Sequence, residues 1–181
     1  MKNQHNFDPD FKFVSHSLKR GIEIIGGDKD YCVDIPAGNG RNVFYLSKFF
    51  KNIKAVDIND NYLESIIEAS EKYKDFDGII TTSRIDFTNE LPIEVQSSDF
   101  ICTIHYYSYS LLSRVIAKMK KNSYYFIETP NCNGQNFLDL PTEEEINWLL
   151  KDVTIIFLEK HNCKAPNSQN KNIAFNCLLS K

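Results

Sequence analysis

Short apolar runs alternate along this chain with longer stretches in which apolar residues recur every three or four positions. The runs Tyr31–Ile35, Ile53–Ile58, Asp99–Ile104 and Tyr124–Glu128 read as strands, the first with the β-branched and apolar content of a buried one, and Ile79–Ile85 reads as a weakly patterned strand between them. Between and before them lie helical spacings. Phe11, Val14, Leu18, Ile22 and Ile25 predict a covering helix over residues 8–25 that Gly26–Gly27 would end. Val43, Leu46 and Phe50 share one face of a helix expected over about 42–50. Tyr62, Ile66, Ala69 and Tyr73 mark the inner face of the next, which opens on the capping-box-like pair Asn61 and Glu64 and closes at Asp75–Gly78. Leu112, Val115, Ile116 and Met119 describe a further helix ending near Lys120–Asn122. Strand and helix alternating in this way predict an α/β fold, a doubly wound, mostly parallel sheet.

The pattern changes after Glu128. Thr129–Leu140 is a loop containing Pro, Asn and Gly, long enough to act as a lid. Thr142 with Glu145 then caps a helix bearing Ile146, Leu149 and Leu150. Two strands follow, Val153–Leu158 and Ile173–Leu179, joined by a polar segment with no helical pattern. A parallel pair needs a crossover, usually helical, so these two are expected to form an antiparallel hairpin at the end of the sheet.

The 181 residues are 42% hydrophobic, which suits one domain over residues 1–181 that buries roughly 70% of its unfolded surface. Residues 1–7 read as a flexible tail or a flap. A net charge of −3, with Lys and Arg scattered, lacks the basic stripe that neutralises nucleic-acid phosphates. No apolar run approaches the ~20 residues that span a bilayer, and the polar start carries no signal-peptide core; a cytoplasmic protein with no membrane partner is expected. The five cysteines contain no C-x-x-C pair. Cys32, Cys102 and Cys177 fall in predicted strands, so buried thiols are expected rather than disulfides or zinc ligands, and no metal site is assigned.

The candidate chemistry concentrates in Tyr31–Asn42 and in Ala55–Asn59. Gly38 and Gly40 allow a sharp turn and a close approach of the backbone to a ligand, and Asp57 closes the second strand where a carboxylate can meet ribose hydroxyls. The helix start after the turn offers N–H donors to an anionic group. A dinucleotide fingerprint would place Gly or Ala where this chain has Val43, which disfavours NAD; no phosphate-binding G-x-x-x-x-G-K-[ST] occurs. The cluster His105–Tyr109 follows the fourth strand, where the carboxyl ends of a parallel sheet open onto a crevice. His105, with an ordinary pKa of about 6.5, suits a proton acceptor or a plain hydrogen bond to its loop. Tyr106, Tyr107 and Tyr109 either contact an acceptor or cover the sheet edge.

Asp34-Ile35-Pro36-Ala37-Gly38-Asn39-Gly40-Arg41-Asn42, with Asp57 and Asp86-Phe87, resembles the motifs of class I S-adenosylmethionine-dependent methyltransferases. The segment Ile127-Glu128-Thr129-Pro130 is most similar to the small tellurite-resistance and thiopurine methyltransferases. Pro36 stands where these enzymes usually carry a glycine, so that step is expected to be extended or turn-like. The resemblance implies a single Rossmann-like domain with a seven-stranded sheet. It implies S-adenosylmethionine as cofactor and S-adenosylhomocysteine as product; no Asn-Pro-Pro-Tyr or Pro-Cys motif follows the fourth strand, which with the acidic balance favours a small-molecule acceptor or a small protein target. Cofactor contacts would come from Asp34, Ala37, Gly38, Asn39, Gly40 and Asn42, from Asp57 at the ribose, from Ile58 against the adenine, from Asp86 and Phe87 at its amine, and from Thr103, Ile104 and His105 near the sulfonium. His105 and Tyr106 would serve catalysis. Two alternatives stay open at this point, a binder of S-adenosylmethionine without activity and a Rossmann-like NAD(P) protein.

Overall fold

The computed structural model describes residues 13–27, 29–72, 77–131, 140–163 and 172–181. Seven strands form one sheet: β1 (Lys29–Asp34), β2 (Phe50–Asp57), β3 (Ile79–Arg84), β4 (Phe100–Ile104), β5 (Tyr124–Glu128), β6 (Thr154–Cys163) and β7 (Asn172–Ser180). Their order across the sheet is β3-β2-β1-β4-β5-β7-β6. The first five run parallel, and β7 enters antiparallel between β5 and β6. This is the expected doubly wound sheet with its antiparallel terminal hairpin.

Strand alternation explains the two hydrophobic layers. Cys32, Phe100, Cys102, Phe126 and Leu178 face one side, where α1 (His16–Ile25), α2 (Arg41–Leu46) and α3 (Asp60–Lys72) supply Leu18, Ile22, Val43, Leu46, Leu63 and Ile66. Val33, Ile101, Tyr125, Ile127 and Phe175 face the other, against Leu111, Leu112 and Val115 of α4 (Tyr109–Lys118) and Ile146, Leu149 and Leu150 of α5 (Glu143–Leu150). Both β1 and β4 lie inside the sheet, and every residue of β4 is buried.

The caps follow local side-chain chemistry. Ser15 accepts from the Leu18 N–H at 2.9 Å to start α1, and Gly26 at φ 44° ends it. Thr142 and Glu145 form the reciprocal capping box of α5. At α3 the expectation is off by two residues: Asn59, not Asn61, accepts from the helix start, with its Oδ1 3.0 Å from the Asn61 N–H. On the inner face of α3, Ile66 is buried and Ala69 packs against the core as expected, with Leu63 buried in place of Tyr62, which is exposed. α2 is shorter than expected, ending at Leu46 so that β2 can begin at Phe50. A 3-10 turn over Ile93–Gln96 precedes β4 and has no counterpart in the sequence pattern.

Residues 8–12, Tyr73, the tail over 1–7 and residues 132–139 of the expected lid lie outside the described residues. Cys32, Cys102 and Cys177 are buried free thiols. The expectation of thiols fails at Cys163, which is disulfide-bonded. Among the described residues no helix is long and apolar enough to cross a membrane, and no three His, Cys, Asp or Glu side chains are grouped to hold a metal.

Candidate functional site

The carboxyl ends of β1, β2 and β4 meet at the glycine turn. The chain leaves β1 through a cis Ile35–Pro36 peptide. Ile35 N–H donates to the Cys102 carbonyl at 3.0 Å, Ala37 N–H to the Val56 carbonyl at 2.8 Å, and Gly40 N–H to the Ala37 carbonyl at 3.1 Å. The turn is therefore stitched to both neighbouring strands. Gly38 and Gly40 both have positive φ, 53° and 85°, but their surroundings differ. A Cβ on Gly40 would lie 2.6 Å from Ile66 Cγ1, so α3 itself demands a glycine there. A Cβ on Gly38 would meet none of the described residues within 4 Å, so among them its bare backbone borders open space. The six residues of α2 are too few for a strong axial field, so the donors at this turn are its individual N–H groups.

Two carboxylates flank the turn and are used differently. Asp57, buried at 5% exposure, accepts from the Gly38 N–H through Oδ2 and from the Asn59 N–H through Oδ1, each at 2.9 Å. It braces the glycine turn against the start of α3 and keeps only its remaining lone pairs for a ligand. Asp34 is fully buried. Its Oδ1 accepts from the Cys102 thiol at 3.1 Å, and its Oδ2 has no partner among the described residues. Desolvation pushes its pKa up to about 7, with the Asp57 charge adding to the rise and the Cys102 hydrogen bond and the Arg41 charge opposing it. A buried carboxylate oxygen without a partner among the described residues can accept from a hydrogen-bond donor or face a cation.

The remaining predicted residues divide by position. Ala37 and Asn42 are buried, Asn42 with an unpartnered Oδ1, and Asn39 is exposed. Ile58 presents an apolar surface at 46% exposure just past Asp57. Asp86 folds back on its own turn. Its Oδ1 accepts from the Thr88 N–H and hydroxyl at 3.0 and 2.6 Å, and its Oδ2 from Asn89 at 2.7 Å. These hydrogen bonds hold its pKa below the usual carboxylate value. Phe87 is buried, edge-on to the Tyr106 ring at 5.4 Å, and its carbonyl accepts from Arg114 of α4. The Thr103 hydroxyl lies 2.7 Å from the Ile35 carbonyl and 2.8 Å from the Tyr125 hydroxyl. It thus ties β4 to the turn and to β5 from inside the sheet. Ile104 is buried at the end of β4. Burial raises the Tyr106 and Tyr107 pKa values, and the Tyr107 hydroxyl is buried without a partner.

His105 sits at φ 56°, an uncommon conformation outside glycine. Its N–H donates to the Glu128 carbonyl at 2.7 Å, its Nε2 is 2.9 Å from Glu128 Oε1, and its Nδ1 is 3.3 Å from an Arg41 Nη2. The ring therefore spans the glycine turn and the end of β5. Arg41 and Glu128 were not singled out by sequence reasoning. The readable signal was a glutamate ending the otherwise apolar run Tyr124–Ile127 and an arginine directly after the glycine turn.

The sequence model of the family described as tellurite resistance protein TehB matches residues 13–137. No curated protein sequence matches the chain significantly. Among solved structures, an S-adenosylmethionine-dependent methyltransferase from Methanosarcina mazei superposes with a TM-score of 0.66 at 15% identity, covering 93% of this chain and 98% of that one. TehB from Haemophilus influenzae gives 0.67 at 19% identity, with 93% of this chain matched to 62% of that longer one. The N-methyltransferase NodS from Bradyrhizobium japonicum gives 0.66 at 12% identity, over 96% and 98% of the two chains. At these identities the structural likenesses speak to the fold.

Proposed function

The chain belongs to the TehB family and has the fold of class I S-adenosylmethionine-dependent methyltransferases, and from that premise we propose that it transfers a methyl group from S-adenosylmethionine to a small-molecule acceptor by in-line displacement. The observation that carries this reading is the buried Oδ2 of Asp34 at the end of β1, unpartnered among the described residues, followed in the glycine turn by the Gly38 backbone, where an added Cβ would meet none of them within 4 Å. The pair fits a ligand bearing a protonated amine and needing close backbone approach, as the methionine portion of this cofactor does. Asp57 would hold the ribose hydroxyls with its free lone pairs, and the exposed Ile58 would pack on the adenine. Asp86, satisfied by Thr88 and Asn89, would meet the adenine amine only through lone pairs left over. Val43, fully buried where a dinucleotide fold carries a small residue, speaks against NAD.

When bound, the cofactor supplies a methyl group activated on a sulfonium. The chain's own part is to hold the acceptor in line and exclude water, which contributes ~7–11 kcal/mol in well-oriented two-reactant steps. His105 and Tyr106 border the place where the acceptor would lie, with His105 the group able to take its proton. The acidic balance of the chain favours a small molecule over a nucleic acid or a membrane surface. The test is S-adenosylhomocysteine production with a panel of thiol, amine and carboxylate acceptors. Turnover with one class is expected. Tight S-adenosylhomocysteine binding with no turnover across the panel would leave a binder instead, and binding of NAD in its place would overturn the reading.

A further inference from the structure

Arg41, His105 and Glu128 form a chain of side chains that joins the glycine turn to the last residue of β5. The guanidinium can only donate, so at 3.3 Å the Nδ1 of His105 is its acceptor and carries no proton. The neutral ring then has its proton on Nε2. That nitrogen lies 2.9 Å from the Glu128 carboxylate, a separation at which two unprotonated acceptors would repel. Glu128 is 7% exposed, and its second oxygen, Oε2, is buried with no partner among the described residues. The carboxylate is thus poorly solvated, and a nearby positive charge would stabilise it. The ring's other surroundings are open, its side chain being 46% exposed. The backbone adds a restraint: the positive φ of His105 and its N–H bond to the Glu128 carbonyl aim the side chain along β5.

We propose that Glu128 is a positioning residue that holds His105 as its Nε2–H tautomer, making Nδ1 the proton-accepting nitrogen, and that Arg41 covers that nitrogen until an acceptor takes its place. The inference rests on the proposed methyl transfer for its use, but not for its geometry. In the step it describes, the X–H bond of the acceptor breaks and an N–H bond forms at Nδ1, with the electron pair left on X for the new bond to carbon. Nothing is oxidised or reduced. The resulting imidazolium is stabilised by the Glu128 carboxylate, whose charge no other side chain neutralises among the described residues, and Arg41 must have moved away, since two cations would otherwise face one another. The ring later returns the proton to solvent through its exposed face.

Two measurements on the whole protein test this without an acceptor. Long-range nitrogen–proton NMR correlations of the His105 ring should show one tautomer, protonated at Nε2, in the wild type and in Arg41→Ala. Because Arg41 by itself also favours an unprotonated Nδ1, Glu128 is tested in the Arg41→Ala background: adding Glu128→Ala should give a mixture of tautomers, and adding Glu128→Leu, which cannot accept a hydrogen bond, should do the same if the alanine form does not fold. Reaction with diethyl pyrocarbonate, read by mass spectrometry with the exposed His16 as internal reference, should be slow at His105. Arg41→Ala should accelerate it by roughly tenfold or more, the worth of a charge-assisted hydrogen bond. A wild-type ring protonated at Nδ1, a tautomer indifferent to Glu128 once Arg41 is removed, or a reaction rate indifferent to Arg41 would overturn the proposal. Calorimetry with S-adenosylhomocysteine on the same proteins reads the methyltransferase assignment separately: a protein that fails to bind it and still shows the expected tautomer pattern keeps the Glu128–His105 pair and loses the assigned reaction.

Discussion

The two sides of the crevice are built from different materials. Around Gly38 and Asp57 the walls are backbone: N–H groups and carbonyls locked to β2 and β4, with one carboxylate spent on two of those N–H groups. Around His105 they are side chains: an arginine, a half-exposed imidazole and a glutamate reaching across from another strand. Backbone walls cannot change without changing the sheet, whereas side-chain walls can turn. On the proposed reading, the backbone side would hold the cofactor and the side-chain side would adapt to the acceptor, a division suited to a fold that serves many acceptors.

Substitutions can break this contrast, and the largest effect should fall on the backbone side. Gly40→Ala combines positive φ with a clash against Ile66 and is expected to cost roughly 3–5 kcal/mol in denaturant unfolding. Gly38→Ala, with open space around its Cβ, should cost only about 1 kcal/mol of stability while its main loss falls on S-adenosylhomocysteine binding. Equal stability losses at both glycines would contradict the different roles assigned to them. Asp57→Ala leaves the Gly38 and Asn59 N–H groups without their acceptor, and calorimetric unfolding should show a loss of roughly 2–3 kcal/mol together with loss of ligand binding.

Asp34 should reveal itself through pH. Its folded pKa of about 7 lies above the ordinary 3.8, so the folded state holds a proton that the unfolded chain has released across that window. The contribution of Asp34 to stability is therefore greatest at low pH and falls as pH rises, by roughly 2 kcal/mol between pH 5 and 7, levelling off above the folded value. Ligand affinity should run the other way, tightening toward pH 7 as the ionised carboxylate meets a protonated amine. Asp34→Asn should flatten both trends; denaturant titrations across pH and calorimetry check them. The smallest effect is expected at Asp86→Ala, whose carboxylate serves its own turn. S-adenosylhomocysteine binding should weaken by less than about tenfold, and a larger loss would make Asp86 a principal contact.

Much of the fold was legible because the sheet is periodic. β5 falls on its expected bounds, the hairpin of β6 and β7 follows from the missing helical pattern, and the α5 cap is written in Thr142 and Glu145. Boundaries slipped where neighbours compete. Asn59 and Asn61 are equally good caps in isolation, and only the path from Asp57 selects the first. The glycine turn was legible as a motif, but not the division of labour between Gly38 and Gly40, which depends on α3 packing against only one of them. Arg41 and Glu128 were hidden because their meeting at His105 joins positions 41, 105 and 128, which only the sheet brings together. The disulfide at Cys163 was likewise beyond a reading that placed cysteines one strand at a time.

On the proposed reading S-adenosylmethionine binds among Asp34, Gly38 and Asp57. Isothermal titration calorimetry of the protein with S-adenosylhomocysteine, and separately with NAD, tests it most directly. Saturable one-to-one binding of S-adenosylhomocysteine, abolished in Asp57→Ala, with no heat from NAD is the predicted result; no binding of S-adenosylhomocysteine, or binding that survives Asp57→Ala unchanged, would contradict the account.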